Sequence, residues 1–407
     1  MFNEKVKPMK LFVKRVFISD NFDEALLPRW LSFLKGMVDS EDLPLNVSRE
    51  LLQKSRVLSI ISKRLVRKSL DMFKEISKDE EKFDKFTANF GRYIKVGVIE
   101  DKDNKDKLLE LASFVSSTED KQTTLPKYVS RMKPEQKQIY YLSGASKEAA
   151  NASPVLERLR KKGYEVLLAL DQIDEIALQG VGKFSDFDVI DAAKENADLG
   201  ELTDEEKGEA EAAKEEFKAT VEFLKASLGD RVDKVEVSSR LTESPSALVQ
   251  PQWGMSPQMQ RFMKAQAAAA GTDDMGMMGG MASNLEINPK HPVILKLKEM
   301  VGEGGAAAEA PSAGFAELVY DVAAVSSGYE LTDAAAFAKR VVALMELGVD
   351  GLAAVVTNPP AGEAPAGESP ATTADWSGVS AGDVVGEESE TVVETPDEDK
   401  PIEPEVL

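Results

Sequence analysis

With no cysteine and a single histidine, His291, this chain has neither disulfides nor a thiolate or imidazole cluster to hold it together. Whatever it folds into must be held by buried apolar surface. Apolar residues fill 43% of its 407 positions, enough for two or three domains with real cores. The same shortage removes thiol nucleophiles and cysteine zinc sites, and any serine triad would have to be built on His291. That residue sits in the turn-like Asn288-Pro289-Lys290-His291-Pro292 and reads as a satisfied surface histidine. Catalysis would have to run on carboxylates, Lys, Arg, Tyr or a bound cofactor. A carboxylate-based hydrolase has no paired acidic motif to support it. No apolar run reaches the roughly 18 residues of a membrane span, and no signal-peptide core precedes Leu11.

Charge is unevenly spread. Fifty Lys and Arg against 71 Asp and Glu give a net charge of −21, which argues against nucleic acid as the main partner. Residues 1–100 hold 20 basic and 15 acidic side chains, a net of +5, leaving −26 for the rest. A basic front and an acidic back predict domains with different tasks. Beyond 356 the chain has 13 acidic residues, Lys400 as its single base, and many Pro, Gly, Ala, Ser and Thr. That composition predicts a disordered acidic tail over 356–407.

Lys10–Ile18 reads as one strand, rich in β-branched and aromatic side chains. Ser48 can cap a long helix whose face is Leu58, Ile61, Leu65, Met72 and Ile76; Lys63, Arg64, Arg67 and Lys68 lie elsewhere on it as a solvated face. Phe83, Phe86, Phe90 and Tyr93 form a second helical stripe, and Leu108, Leu109, Leu111 and Phe114 a shorter third cluster. Strands at 138–142, 164–170 and about 184–190 alternate with helices, one capped by Ser153 and ended by Gly163 and one over 174–179. This pattern predicts a small parallel α/β unit. Gly144-Ala145-Ser146-Lys147 lacks the second glycine of a phosphate loop. Thr203-Asp204-Glu205-Glu206 is a capping box opening a helix that should run to Leu228 and stop at Gly229. Strands at 234–238 and 247–250, a helix over about 256–269, a Met/Gly loop at 275–281 and helices at about 315–327 and 334–347 follow.

Leu43-Pro44-Leu45-Asn46-Val47-Ser48-Arg49-Glu50 resembles the catalytic-loop signature of the middle domain of heat shock protein 90 chaperones. Gly36–Asp42 fits the same segment, with Met37 where the family usually has valine. Tyr128-Val129-Ser130-Arg131-Met132-Lys133, Gln136–Gly144, Arg261–Ala267, Leu285-Glu286-Ile287-Asn288-Pro289 and Ser326-Ser327-Gly328-Tyr329 continue the match in family order, over about 1–350. The resemblance implies a mixed α/β (α+β) fold: an α/β/α middle domain with a helical coil over 1–199, an α+β C-terminal dimerisation and client-binding domain over 200–355, and the tail. Nothing resembles the family's N-terminal nucleotide-binding domain, so the chain reads as a fragment that would not hydrolyse ATP alone. Where the family usually has an aromatic residue, Gly and Trp, this chain has Trp253-Gly254-Met255, with the order changed.

The function the resemblance implies is ATP-dependent folding of client proteins. Arg49 would meet the γ-phosphate of Mg-bound ATP held mainly by the missing domain, where a fixed guanidinium suits the charge that redistributes in phosphoryl transfer. Gln53, one turn on, would order the loop. Trp253, Met255, Met259 and Met263, with the 275–281 loop, are the candidate client surface, because flexible polarisable methionine tolerates many sequences; on the residues alone the methionine stripe reads first as core. Leu318, Val322 and Val325, and Phe337, Val341, Leu344 and Leu347, form two stripes that a homodimeric four-helix bundle would bury. Co-chaperones are further implied partners. A non-enzymatic dimeric scaffold is the alternative. The Phe12–Asp20 run and the tail look most like plastid or mitochondrial members, with the cytoplasm as the alternative location.

Overall fold

In the computed structural model, described over residues 9–19, 26–41, 43, 56–271, 282–302 and 306–357, the first apolar run becomes two strands. Only the backbone is described at 270, 306–312 and 346–357. Strands β1 (Met9–Val13) and β2 (Val16–Ser19) form a hairpin, and β3 (Gly36–Ser40) adds to β1 in parallel. The single strand expected over Lys10–Ile18 is therefore corrected. Lys14 and Arg15 turn the chain at φ of 48° and 67°, without glycine or asparagine to announce it. The turn is fastened from outside: Lys14 N–H donates to Ser40 O (3.1 Å) and Arg15 N–H to Asp39 Oδ1 (3.2 Å).

Helices α1 (Arg56–Ile76), α2 (Glu80–Glu100) and α3 (Lys105–Leu111) follow. Phe83 and Phe86 of α2 are buried as anticipated, and Phe33 stacks on Phe90 with centroids 4.4 Å apart. On α1 Leu58 is buried, but Met72 is exposed and its neighbour Phe73 takes the core position instead. Lys63, Arg64, Arg67 and Lys68 are exposed. Strands β4 (Ser113–Ser116) and β5 (Thr123–Thr124), helix α4 (Leu125–Arg131), strand β6 (Gln138–Ser143), helices α5 (Lys147–Asn151) and α6 (Glu157–Lys162), strand β7 (Val166–Ala169), helix α7 (Gln172–Gln179) and strands β8 (Lys183–Phe184) and β9 (Phe187–Asp191) complete the next unit. They make a six-stranded sheet in the order β5-β4-β7-β6-β9-β8. Its centre, β7-β6-β9, is parallel as expected; both flanks are antiparallel, so the sheet is mixed. The strand expected near 184–190 is again a hairpin, turned by Ser185 and Asp186 at φ of 46° and 72°.

Period-two alternation assigns the two faces of this sheet. Ile139 and Tyr141 of β6, with Leu167 and Ala169 of β7, join the helical core around Trp30 and Phe73. Tyr140, Leu142, Val166 and Leu168 face a second core that also holds Leu199, Leu241, Ala247 and Val249. This second core crosses residue 199.

The capping box opens α8 (Asp204–Glu216), with Thr203 and Glu206 bonded reciprocally, but α8 ends at Phe217 and α9 (Lys218–Leu228) begins anew. Phe217 is buried and α8 buries nothing, so the two helices need different orientations. Strands β10 (Val235–Val237), β11 (Ser246–Val249) and β12 (Asn284–Ile287), with helices α10 (Pro257–Ala270), α11 (Pro292–Gly302), α12 (Ala306–Ser326) and α13 (Ala334–Thr357), build the rest. The sheet order is β10-β12-β11, and Leu224, Leu285, Ile287, Leu297 and Val319 pack its core. Met1–Leu347 forms one unit; Gly348–Leu407 is a second, described only as the last turns of α13. The tail expected over 356–407 lies, beyond 357, outside the described residues.

Candidate functional site

Arg49 and Gln53 lie outside the described residues, as does the Met/Gly loop at 275–281. The flanks of the Arg49 segment are described. Leu43, three residues beyond β3, is buried at 2% exposure, and α1 begins at Arg56. The turn at 144–147 is filled by its own packing. A Cβ at Gly144 would come within 2.7 Å of the Ala150 Cβ, and Lys147 Nζ donates to Glu119 O (2.6 Å). It does not fit a phosphate. His291 accepts from Val293 N–H (3.2 Å) and so satisfies the start of α11. No group of three or more possible metal ligands occurs among the described residues, and no described helix is long and apolar enough to cross a membrane.

The surface around Trp253 is more informative. Its indole is 82% exposed, although the turn that carries it is tightly held. Gly254 N–H donates to Pro251 O (2.9 Å), and a Cβ at Gly254 would lie 2.7 Å from Pro251 Cδ, so only glycine allows this turn. Lys194 Nζ donates to Gly254 O (2.5 Å), and Gln252 N–H donates to Glu195 (3.1 Å). Ser256 then caps α10: its Oγ accepts from Met259 N–H (3.0 Å) and donates to the Glu175 carboxylate of α7 (2.6 Å). Gln258 Nε2 donates to Leu170 O (2.7 Å). Met255, Met259 and Met263 are half-buried, neither core nor fully solvated. Thus the structure brings Trp253 and the three methionines into one short stretch, fixed to the six-stranded sheet unit by Lys194, Glu195 and Glu175.

Those anchors carry no sequence signal of their own. Glu175 is one more acid in a helix first turn, beside Asp174, and both are buried; their partners, Ser256 for the one and Lys95 for the other, distinguish them. Asp174 pairs with Lys95 of α2 at 2.6 Å, both under 10% exposed, while Lys95 also lies over the Phe114 ring. Burial pushes the Asp174 carboxyl up against the pull of Lys95. At the end of β9, burial likewise pushes Asp191 up to about 6, opposed by a hydrogen bond from Ala193 N–H. Helix α7 therefore bonds α2 on one side and the cap of α10 on the other.

The two final helices divide their apolar residues differently from a simple stripe. On α12, Ala316, Val319, Ala323 and Ala324 are buried in the core. Leu318 is half-buried, Val322 is 37% exposed and Val325 53% exposed, so the anticipated stripe lies off the buried face. On α13, Phe337 and Val341 are half-buried and Leu344 is exposed; the side chain of Leu347 lies outside the described residues. Val342 and Met345, not singled out by spacing, are also exposed. None of the described side chains of α13 is buried. It is tied to α12 through Arg340, which pairs with Glu317 (2.6 Å) and with the buried Asp321. Arg231 holds the other Asp321 oxygen (3.0 Å).

A family profile described as Hsp90 protein matches residues 1–373. Heat shock protein 90-5, chloroplastic, of Arabidopsis thaliana is 44% identical over 352 residues, covering 86% of this chain and 44% of that protein. The mitochondrial heat shock protein 90-6 of the same plant is 42% identical, covering 86% and 43%. An endoplasmin homolog of Caenorhabditis elegans is 41% identical, covering 86% and 46%. The chain thus spans less than half the length of these relatives. Among solved structures, the middle domain of a heat shock protein from Plasmodium falciparum is 44% identical, covering 47% of this chain and 74% of that one, with a TM-score of 0.43.

Proposed function

The chain belongs to the heat shock protein 90 family, and from that premise we propose that it is a chaperone subunit that holds unfolded or partly folded client proteins as a homodimer. The observation that carries the reading is Trp253, 82% exposed on a turn that is rigidly anchored beside the half-buried methionines of α10. A bare indole held rigidly next to half-buried methionines suits a surface that a partner covers. Met255, Met259 and Met263 extend that patch with side chains that adapt to varied partners. Serine at Met259 and Met263 together should weaken capture of an unfolded model protein several-fold while leaving the melting temperature within a few degrees. A lowered melting temperature with unchanged capture per folded molecule would make the stripe a packing feature instead.

The domain division we propose is a middle domain over 1–199, a C-terminal domain over 200–355 and the tail over 356–407. In this reading Arg49, steadied by Gln53, completes ATP hydrolysis on Mg-bound nucleotide held by a domain outside this sequence. Bound ATP would supply the transferable phosphoryl group; Arg49 would supply positive charge to it. In a chain joined to a nucleotide-binding domain, Arg49→Ala should lower turnover by about 10³–10⁵ with nucleotide affinity kept. Unchanged turnover removes the role. The chain by itself should not turn over ATP above a blank. Exposed Val322, Val325 and Leu344 support self-association through α12 and α13. Similarity to chloroplastic and mitochondrial relatives supports an organellar location, which import of a tagged chain joined to its native upstream sequence would test.

A further inference from the structure

A cavity of about 540 Å³ lies beneath α8, between that helix, α9, β10 and the 195–202 segment. This is the size of a small-molecule site. Val221, Val235, Val237 and Ala210 give it apolar walls. Its charged lining is almost wholly consumed. Arg240 at its floor donates to Glu286 (3.1 Å) and to Ala192 O (2.7 Å), and Arg158 donates to Glu206 (3.2 Å). Glu195 and Glu236 both pair with Lys234, and Asp198 accepts from Gly200 N–H (3.0 Å). Two charged lining groups remain without a hydrogen bond or ion pair, Lys214 of α8 and Lys218 of α9, and both are exposed cations at the rim.

The roof is loosely attached. Helix α8 buries no residue, rests on the half-buried Glu206, Ala210 and Ala213, and carries Gly208 in its interior. A 13-residue helix with an interior glycine is marginal by itself. It is held mainly by ion pairs at its two ends and its middle: Arg158 with Glu206, Lys290 with Glu209 (2.7 Å) and Lys298 with Glu216. The Lys290 and Lys298 pairs lie at the surface, where such pairs are weak and screened by salt, whereas Arg158 is buried.

We propose that this cavity binds a small organic anion with an apolar body, its charge held by Lys214 and Lys218 and its entry given by displacement of α8. The apolar walls take the body, and the two unspent cations define the sign of the head group. The absence of native cysteine provides the test. In the whole chain, Ala210→Cys places a single thiol on the cavity wall, and its modification by iodoacetamide reports occupancy. The probe is 1-anilinonaphthalene-8-sulfonate, with neutral N-phenyl-1-naphthylamine as its uncharged counterpart. The sulfonate should slow modification about tenfold at saturation, a loss restored to near the free rate by adding Lys214→Gln and Lys218→Gln. Protein stability should not respond, since neither lysine has a partner to lose. No protection, protection that survives in the lysine variants, or equal protection by the neutral compound overturns the proposal.

Discussion

Asp191 carries the charge most at odds with its surroundings. It is buried at the end of β9 with Glu175 of α7, Lys194, Arg240, Tyr141 and Tyr329 around it, and burial pushes its carboxyl from an ordinary 3.8 up to about 6. Between those values the folded chain holds a proton that the unfolded chain has released, so stability falls as pH rises through about 4–6. Above that window the ionised group costs on the order of 3 kcal/mol. Asp191→Asn keeps an acceptor for Ala193 N–H and removes the charge. It should raise stability at pH 7 by up to that amount and flatten the pH 4–6 slope, read by urea unfolding at each pH. A slope unchanged by the substitution would show that another group titrates there. A second residue-scale prediction concerns Ser185 and Asp186, which sit at positive φ where Asn-Gly is favoured. Replacing the pair with Asn-Gly should stabilise the β8–β9 hairpin by about 1 kcal/mol. The turn is hard to read in the sequence because no glycine or asparagine marks it, and Phe184, Phe187, Val189 and Ile190 together pass for one weak strand.

At the scale of elements, α7 is the connection on which the account leans. Lys95 and Asp174 tie it to α2, and Glu175 and Ser256 tie it to α10. Lys95→Met leaves Asp174 buried without its cation and should cost about 3–5 kcal/mol at pH 7. The cost should shrink as pH falls, because burial already raises the Asp174 carboxyl and a protonated one needs no counter-cation. Adding Asp174→Leu should recover most of it. Ser256→Ala removes both a helix cap and the acceptor's partner, a loss of about 1–2 kcal/mol; loosening α10 in hydrogen exchange is its signature. Helix existence was legible wherever an apolar face met a recognisable start or stop. The face of α2, the capping box of α8 and the left-handed Gly163 after α6 are all readable; the face of α1 is readable except that Phe73, not Met72, enters the core. The break at Phe217 was not, because continuous helix-forming sequence hides the fact that α8 has nothing to bury. Helix α11 was missed as well, since Pro292 and His291 read as turn rather than as a helix start.

At the scale of the molecule, the candidate site residues come from the resemblance, and spacing alone leaves several of them undecided. By spacing alone Met255, Met259 and Met263 read as core, whereas the structure leaves all three half-buried. The 318-322-325 spacing on α12 was a real apolar row, but the core took the neighbouring face of Ala316, Val319 and Ala323. A helix with alanine on its packed side and valine on its open side shows small residues where the protein is close and large ones where a partner could sit. The described part of α13 also exposes Val342, Leu344 and Met345, and Arg340 ties it to α12 through Glu317. Each large side chain covered by a second copy would contribute roughly 1.5–3 kcal/mol, so a few suffice for a stable dimer.

That self-association is the claim on which client holding by paired surfaces depends, and sedimentation velocity tests it most directly. The wild-type chain should sediment as a dimer at micromolar concentration, and Val325→Asp with Leu344→Asp should sediment as a folded monomer of unchanged circular dichroism. A wild-type chain that sediments as a monomer, or a double variant that remains dimeric, contradicts the account.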